Sequence, residues 1–253
     1  MLQIHQFPCL ADNYGFLVHD DASGATTTID TPDADEILRQ AELKGWRLGE
    51  IWNTHWHPDH AGGNAAIVAA TGALVTGPAE VERIGKSPDR VVVEGEVVKL
   101  GGLEARVLDV GGHTLGHIAY VFDTEKVGFV GDALFSLGCG RLFEGTAQQM
   151  WTSLQKIAAL PDEATLYCAH EYTQANARFA ISIDPSNRAL QTRIADIKRL
   201  RATGKPTVPM SLRQEKQTNP FLRAPELKAA IMMSGAPDWE AFGALRARKD
   251  NFK

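Results

Sequence analysis

The sequence predicts an α+β fold, in which a many-stranded N-terminal domain is followed by a small helical domain. Residues 1–185 contain short β-branched runs that alternate with helical patterns and end at glycine or proline. From residue 186 onward, the apolar residues recur at helical spacing. The chain has 253 residues, 44% hydrophobic and 23% charged, a composition typical of a globular protein with a substantial core.

The strand predictions depend on β-branched and apolar runs that stop at turn residues. Residues 25–30 carry three threonines and an isoleucine directly before Thr31-Pro32. Residues 50–54 form a similar run that leads into a histidine-rich segment. The predicted strands are residues 25–30, 50–54, 74–76, 91–93, 97–100, 103–110, 118–122, 127–130 and 165–168.

The helix predictions depend on apolar residues that recur every three or four positions. The pattern that begins at Ile37 stops at Gly45, and Leu190, Ile194 and Ile197 align on one face of a later helix that stops before Gly204. A long connection follows that helix. The predicted helices are residues 37–43, 64–70, 147–159, 186–204 and 211–215, and a last one that begins at residue 237.

The charge distribution divides the chain at the same place as the helical pattern. Residues 1–185 hold 12 basic and 25 acidic side chains, whereas residues 186–253 hold 14 and 6. We therefore predict a domain boundary at residue 185, with a many-stranded domain at residues 1–185 and a helical domain at residues 186–253. A basic C-terminal part is typical of binding to nucleic acid, a membrane surface or a small anion, and also of a solvated helix face.

The sequence disfavours membrane-spanning proteins, secreted proteins and proteins built on a disulfide framework. No run approaches the roughly 18 to 20 apolar residues of a membrane span. The first residues lack the charged segment and the apolar segment of a signal peptide. We therefore expect a cytoplasmic protein. Cys9, Cys139 and Cys168 are too few and too scattered for a disulfide framework. We interpret Cys139 and Cys168 as small packing residues.

Three histidines fall in one six-residue window directly after a predicted strand. His55 and His57 are two residues apart, so in an extended segment they point to the same side and can bind one ion. Pro58 is suited to the first position of a helix, which places Asp59 and His60 in its first turn and directs them toward a second ion. The segment therefore predicts the beginning of a metal site.

Further candidate ligands follow three other predicted strands at the point where each strand ends. They are one of the two histidines His113 and His117, then Asp132, and then His170. With the first cluster they make five histidines and two aspartates, more than one tetrahedral ion can use, so we predict two metal ions with Asp132 shared between them. Imidazole and carboxylate ligands suit zinc, iron or manganese. Two such ions can activate a shared water for hydrolysis.

These motifs resemble the metallo-β-lactamase superfamily and, within it, the hydroxyacylglutathione hydrolase (glyoxalase II) family. The resemblance implies an αββα sandwich with a binuclear site at one edge, followed by the C-terminal helical domain. It extends over essentially the whole chain. Besides the Thr-His-Trp-His-Pro-Asp-His motif, it is carried by residues 12–14, 112–117, 138–146, 170–173, 218–223 and 248–253.

The resemblance also implies a ligand set for each ion. Two divalent ions are expected, zinc first, with iron or manganese as alternatives. Asp59 and Asp132 are then the catalytic carboxylates, and a hydroxide lies with Asp132 between the ions, whereas His117 orients a ligand. The first ion is bound by His55, His57 and His113, and the second by Asp59, His60 and His170.

The implied substrate is S-D-lactoylglutathione, hydrolysed to D-lactate and glutathione in methylglyoxal detoxification. Tyr172, Arg246 and Lys249 match residues that bind glutathione in the family. The family's Lys-x-Tyr pair is replaced here by Arg141 and Phe143, which keeps a positive charge but removes a hydroxyl donor.

Three alternative functions are less well matched by the sequence. A nuclease of the superfamily would use a basic surface, a persulfide dioxygenase shares part of the histidine motif with a mononuclear iron site, and a glutathione-binding module would bind without turnover. We expect a monomer that acts on a small glutathione thioester and binds neither nucleic acid nor membrane.

Overall fold

A computed structural model of the chain describes residues 1–252. Lys253, the last residue of the predicted helical domain, lies outside the described residues. The chain divides into two compact units, which are described separately. The first unit comprises Met1–Asp109 and Gly116–Gly131, and the second comprises Val110–Leu115 and the chain from Asp132 onward. The predicted boundary at residue 185 lies inside the second unit.

The first unit contains two β-sheets and the helices that connect their parallel strands. Its helices are α1 (Ala34–Lys44), α2 (Pro58–Ala61), α3 (Asn64–Thr71) and a 3-10 helix at Ala79–Ile84. Its strands are β1 (Leu2–Cys9), β2 (Asn13–Asp20), β3 (Ala25–Ile29), β4 (Leu48–Trp52), β5 (Leu74–Gly77), β6 (Arg90–Val91), β7 (Val97–Leu100), β8 (Leu103–Asp109), β9 (Ile118–Phe122) and β10 (Val127–Gly131).

The first sheet has the strand order β1-β2-β3-β4-β5-β6. Strands β1 to β3 are antiparallel, and β3 to β6 are parallel. Strands β7 to β10 form an antiparallel meander. Because parallel neighbours need a crossover, α1 connects β3 to β4, and α3 lies between β4 and β5. This arrangement brings the ends of β3 and β4 together, where the candidate ligands begin.

Aromatic side chains join the two sheets of the first unit. Trp52 stacks on Phe122 with ring centroids 6.0 Å apart, and Phe16 meets Phe129 at 5.5 Å. Tyr120 is fully buried and its hydroxyl donates to the Asn53 carbonyl at 2.9 Å. Burial of each such side chain contributes about 1.5 to 3 kcal/mol. The other face of the first sheet is covered by apolar residues of α1 and α3.

The second unit is mainly helical. Its strands pair as two short antiparallel ladders, Leu134–Phe135 with Gly138–Cys139 and Thr165–Cys168 with Met210–Ser211. They are β11 (Leu134–Phe135), β12 (Gly138–Cys139), β13 (Thr165–Cys168) and β14 (Met210–Ser211). Its helices are α4 (Ala147–Ala158), α5 (Thr173–Ile183), α6 (Arg188–Ala202), α7 (Leu212–Thr218), α8 (Ala224–Leu227) and α9 (Asp238–Asp250). No helix within residues 1–252 combines the length and apolar composition that crossing a bilayer requires.

Ion pairs inside the second unit match part of the positive charge of residues 186–252 with acidic residues. Basic residues after position 186 contact acidic residues between 162 and 184, which belong to the acidic part of the sequence. The pairs are Lys216 with Asp162 at 2.6 Å, Arg213 with Glu163 at 2.9 Å, Arg201 with Glu171 at 3.5 Å, and Arg223 with Asp184. Part of the C-terminal positive charge is therefore matched within the protein.

The structure confirms most predicted elements and adds several. The strands predicted at residues 97–100, 118–122 and 165–168 are observed with those bounds. The hairpin β1–β2 was missed because β2 is buried on both faces and shows no alternation of apolar and polar residues. Helix α5 and the hairpin β11–β12 were also missed. Strands of two residues leave no periodicity to detect.

Candidate metal centre and substrate site

His55 and His57 follow β4 and lie side by side in the first unit. His55 Nε2 and His57 Nδ1 are 3.1 Å apart, so the two ring nitrogens converge as the two-residue spacing predicted. His55 is fully buried and His57 partly so. The other nitrogen of His55, Nδ1, lies 3.0 Å from the Thr54 hydroxyl. His55 Nε2 and His57 Nδ1 are therefore the two nitrogens available to a shared ion.

Asp59 and His60 lie in helix α2, which begins at Pro58 as the sequence predicts. His60 is buried, and its Nε2 lies 3.6 Å from Asp59 Oδ2. Asn13 donates to the same carboxylate oxygen at 3.1 Å. The short helix thus holds a second pair of ligand-type atoms, with Asn13 orienting the carboxylate.

The Asp30 carboxylate supports both the His55–His57 pair and the Asp59–His60 pair. It was not identified from the sequence. Its carboxylate lies 2.8 Å from His60 Nδ1 and accepts hydrogen bonds from the Thr54 amide at 2.7 Å and the Thr54 hydroxyl at 2.8 Å. A carboxylate beside Nδ1 favours the tautomer that leaves Nε2 as a metal ligand. Atoms of Asp30, His55 and His60 lie within 4.8 Å of one another. Asp30 follows strand β3, so the strand-end rule that selected the other candidates would have found it.

His117 packs against the same group. It is fully buried, and its ring stacks on His55 with centroids 4.5 Å apart. Gly131 comes so close that an added Cβ would lie 2.7 Å from the Thr54 hydroxyl and 2.8 Å from the His117 ring. At φ +48° this position also favours glycine. The absence of a side chain at residue 131 therefore lets these rings pack.

Asp132 lies between two histidines in the second unit. Its Oδ2 is 3.4 Å from His113 Nε2, and its Oδ1 is 3.3 Å from His170 Nε2. Each carboxylate oxygen thus faces a different histidine, and all three residues are buried. This arrangement is compatible with a carboxylate shared by two ions.

Neighbouring residues orient the two histidines of the second unit. His113 Nδ1 lies 2.9 Å from the Arg141 carbonyl, which leaves Nε2 on the side of Asp132. Gly140 permits this contact, because an added Cβ would lie 2.1 Å from the Asp132 carbonyl oxygen and 3.0 Å from His113 Nδ1. His170 stacks on Tyr172, with centroids 4.7 Å apart and planes 2° apart.

The ligand-type atoms in each unit have the spacing of metal ligands. Two atoms bound at about 2.0–2.1 Å to a tetrahedral zinc ion lie about 3.3 Å apart. The four pairs described above are separated by 3.1, 3.6, 3.4 and 3.3 Å. They are imidazole nitrogens and carboxylate oxygens, which suit divalent zinc, iron or manganese. The residues therefore fit divalent metal ions.

Two of the predicted substrate residues are exposed around His113. The Arg141 side chain is 65% exposed, and its Nε lies 3.6 Å from Asp250 Oδ1. Phe143 is 62% exposed, and its ring approaches the His113 ring edge-on at 5.2 Å. Tyr172 is also partly exposed where it stacks on His170. Phe143 and Tyr172 thus contact the rings of His113 and His170, whereas the Arg141 side chain lies beside Asp250.

Arg246 and Lys249 lie on helix α9 but differ in exposure. Arg246 is buried and donates to the Cys139 carbonyl at 2.8 Å and to Asp250 at 2.9 Å, so its guanidinium supports strand β12. Lys249 is half-buried, and burial together with the positive charges of Arg246, Arg178 and Arg141 lowers its pKa below the usual 10.5. A cluster of cations therefore surrounds Asp250.

Comparison with known proteins identifies the family. A profile of the metallo-beta-lactamase superfamily matches residues 21–170, and one described as hydroxyacylglutathione hydrolase C-terminus matches residues 171–252. A protein from Erythrobacter litoralis named hydroxyacylglutathione hydrolase is 57% identical over 252 residues and covers both chains completely. The chain belongs to the hydroxyacylglutathione hydrolase family.

Solved structures agree with the superfamily fold. ETHE1 from Myxococcus xanthus is 25% identical, with a TM-score of 0.67 over 99% of this chain and all of that one. TTHA1623 in a di-iron-bound form is also 25% identical, with a TM-score of 0.56 over 66% of this chain and 91% of that one. The hydroxyacylglutathione hydrolase family membership and these structures confirm the predicted resemblance, the metallo-β-lactamase fold class and the assignment as a hydrolase.

In this member of the hydroxyacylglutathione hydrolase family, burial disfavours the reactive thiolate form of Cys139 and Cys168. Burial raises the pKa of Cys139 to about 11 and that of Cys168 to about 12. Both side chains are thus protonated at neutral pH, whereas a nucleophilic cysteine needs its thiolate. This agrees with their interpretation as packing residues.

Proposed function

We propose that the protein hydrolyses S-D-lactoylglutathione to D-lactate and glutathione. The name of its full-length relatives supports the substrate class. The observation that carries the proposal is the Asp132 carboxylate, whose two oxygens face His113 and His170 separately. In the net reaction water adds to the acyl carbon and the carbon–sulfur bond breaks. The leaving thiolate takes up one of the two water protons to give glutathione, and the other proton is released as D-lactate forms.

The proposed ligand sets follow the family pattern. His55, His57 and His113 would hold one divalent ion, Asp59, His60 and His170 would hold the other, and Asp132 would be shared. Two bound ions would polarise the thioester carbonyl and lower the pKa of a water molecule from 15.7 to about 7. Zinc is the first candidate, with iron or manganese as alternatives. The di-iron-bound form of TTHA1623 supports iron as one of these alternatives.

The residues of the chain prepare this chemistry in defined ways. Asp30 holds a proton on His60 Nδ1, and Thr54 connects Asp30 to His55, so both rings keep their Nε2 atoms for metal. Asn13 orients the Asp59 carboxylate. The leaving thiolate has a pKa near about 8.5, judged from cysteine, and needs no proton donor. The reaction therefore requires no serine or cysteine nucleophile.

The proposed glutathione contacts use the cations and aromatic residues near His113. Arg141 and Lys249 carry positive charge that suits the carboxylates of glutathione, with Arg246 holding the strand beside them. Phe143 and Tyr172 offer ring faces next to His113 and His170. A cytoplasmic location, a monomeric state and the lack of binding to nucleic acid or membrane remain predictions from the sequence.

The test is a thioester hydrolysis assay on full-length protein with metal analysis of the same sample. We expect release of D-lactate and free thiol from S-D-lactoylglutathione in equal amounts, with up to two divalent ions per chain. Loss of activity on chelation and recovery with zinc would support the metal requirement. Oxygen consumption with glutathione persulfide, without thioester hydrolysis, would contradict the proposal.

A further inference from the structure

The hairpin β11–β12 connects two parts of the metal centre in the second unit. Asp132 lies two residues before β11, and the Arg141 carbonyl that contacts His113 Nδ1 lies two residues after β12. Any shift of the hairpin therefore moves the Asp132 carboxylate and the partner of His113 together.

The turn of this hairpin is buried and conformationally unusual. Leu137 is fully buried among apolar residues of α5 and α6, at φ +58°, a conformation that leucine rarely adopts. Its neighbour Ser136 is also buried. A two-residue turn of Ser and Leu has no intrinsic preference for this shape, because turns with positive φ favour glycine or asparagine. The surroundings must therefore hold it.

Three side chains, one from α6, one from α7 and one from the residue after α7, bond to the turn. Glu215 accepts a hydrogen bond from the Leu137 amide at 2.9 Å, and Arg193 donates to the Ser136 hydroxyl at 2.9 Å. Asn219 donates to the carbonyls on either side of the turn, at 3.1 and 3.0 Å. The polar groups of the turn thus bond to residues far along the chain.

Arg193 and Glu215 also form an ion pair with each other, and both are buried. Asn219 donates to Glu215 at 3.0 Å, and Thr218 accepts from Arg193 at 2.6 Å. A buried ion pair is often no more stabilising than a pair of apolar side chains of similar volume, so stability alone does not account for it. Its distinctive property is that it directs hydrogen bonds to the hairpin turn.

We propose that Arg193, Glu215 and Asn219 act as a positioning clamp that fixes the β11–β12 hairpin, and through it Asp132 and His113, in the geometry that binds metal. The proposal rests on the metal centre of the proposed function. It assigns the predicted helical domain, residues 186–253, a role in metal binding in addition to substrate binding. None of the three residues contacts the ligand atoms directly in the described contacts, so their action is indirect.

The experiment measures zinc affinity of the full-length protein by competition with a chromophoric chelator, without any thioester. Measurements are made well below the thermal unfolding midpoint of each variant, so that loss of folded protein does not lower the apparent affinity. For Glu215→Gln we expect affinity for at least one zinc ion to fall by up to about 10-fold, since the clamp is one step further from the ions than the outer partners whose removal lowers affinity about 10- to 100-fold.

The double variant Arg193→Leu/Glu215→Leu separates positioning from stability. It leaves no unpaired buried charge, so we expect an unfolding midpoint above that of Glu215→Gln. It cannot bond to Ser136 or to the Leu137 amide, so zinc affinity should stay reduced. The matched control is Arg223→Leu/Asp184→Leu, which removes another ion pair of the same unit away from the hairpin and should bind zinc like the parent.

Parent-like zinc affinity in the folded double variant would overturn the clamp, as would an equal loss in the control. Because no thioester is present, failure of the clamp is distinct from failure of the proposed reaction. The latter is judged on the parent protein by hydrolysis alone.

Discussion

The two groups of candidate metal ligands are built in different ways. In the first unit, His55, His57, Asp59 and His60 come from one short segment, and strand β4, Pro58 and helix α2 direct them. In the second unit, His113, Asp132 and His170 come from three separate segments and meet only through tertiary contacts.

The difference concerns how each group is supported. The local segment needs few outer contacts, chiefly Asp30, which bonds to Thr54 and His60. The dispersed group depends on a hairpin whose turn is held by residues between 193 and 219. Changes in the helical region should therefore affect the dispersed group, whereas changes near β3 should affect the local one.

Removing the shared carboxylate should have the largest effect. For Asp132→Ala we expect bound zinc to fall from two ions per chain to one or fewer, and kcat/KM to fall at least about 100-fold, because even outer partners of metal ligands contribute up to that amount. Metal analysis after dialysis and steady-state kinetics measure both. Asp123→Ala, which removes an exposed carboxylate paired with Arg106, is the control. Parent-rate turnover with one metal bound would contradict the shared role.

Asp30→Asn tests the local group. Asparagine tolerates the left-handed conformation at φ +59°, so the substitution removes charge without new backbone strain. We expect a loss of about 10- to 100-fold in zinc affinity. Asp20→Asn is a matched control, since Asp20 is a buried carboxylate of the same unit that accepts from Gly102 and Ser23. It should lower the unfolding midpoint and leave zinc binding unchanged. An equal loss of zinc affinity in both variants would argue against a specific role for Asp30.

Lys249→Ala tests the cations near Asp250, which include Arg141, Arg246 and Lys249. We expect KM for lactoylglutathione to rise about three- to tenfold, since a partly buried ionic contact contributes roughly 1 kcal/mol. An unchanged kcat is expected, because the contact is equal in ground and transition states. Lys198→Ala, an exposed lysine of α6, is the control.

The pH dependence sharpens this test. Burial and neighbouring positive charges lower the Lys249 pKa, so its charge is lost at lower pH than for an ordinary lysine at 10.5. KM should therefore rise as pH increases through that lowered pKa, and the rise should be absent in Lys249→Ala. The same alkaline rise in the variant would assign it to another group.

Phe143→Tyr should give the smallest effect. A hydroxyl at this exposed position adds one neutral hydrogen bond to the substrate, which contributes roughly 0.5 to 1.5 kcal/mol and corresponds to a fall in KM of about two- to tenfold with kcat unchanged. We expect the lower half of that range, because Arg141 competes for the same part of the substrate. Arg141→Ala should raise KM by more than Phe143→Tyr lowers it, because a charged contact is lost. Steady-state kinetics on both variants decides. A higher KM for Phe143→Tyr, or no effect of Arg141→Ala, would mean that glutathione binds differently from the family pattern.

The sequence alone determined the fold class, the family and the local group of candidate metal ligands. His55, His57, Asp59 and His60 were predictable because strand and helix periodicities act over a few residues, and Pro58 marks the start of the helix. The strand-end positions of His113, Asp132 and His170 were also visible, and the structure brings these three together.

Apart from Asp30, which follows strand β3, the supports were revealed only by the tertiary structure. Net charge suggested a basic surface after residue 186, yet Lys216, Arg213 and Arg223 are paired with acidic residues of the same unit. The buried pair of Arg193 and Glu215 and the left-handed turn at Leu137 have no local signature, since hydrogen bonds between residues 78 positions apart leave no periodicity in the sequence. Contacts of this kind depend on how the chain packs, and packing joins segments that no short-range pattern relates.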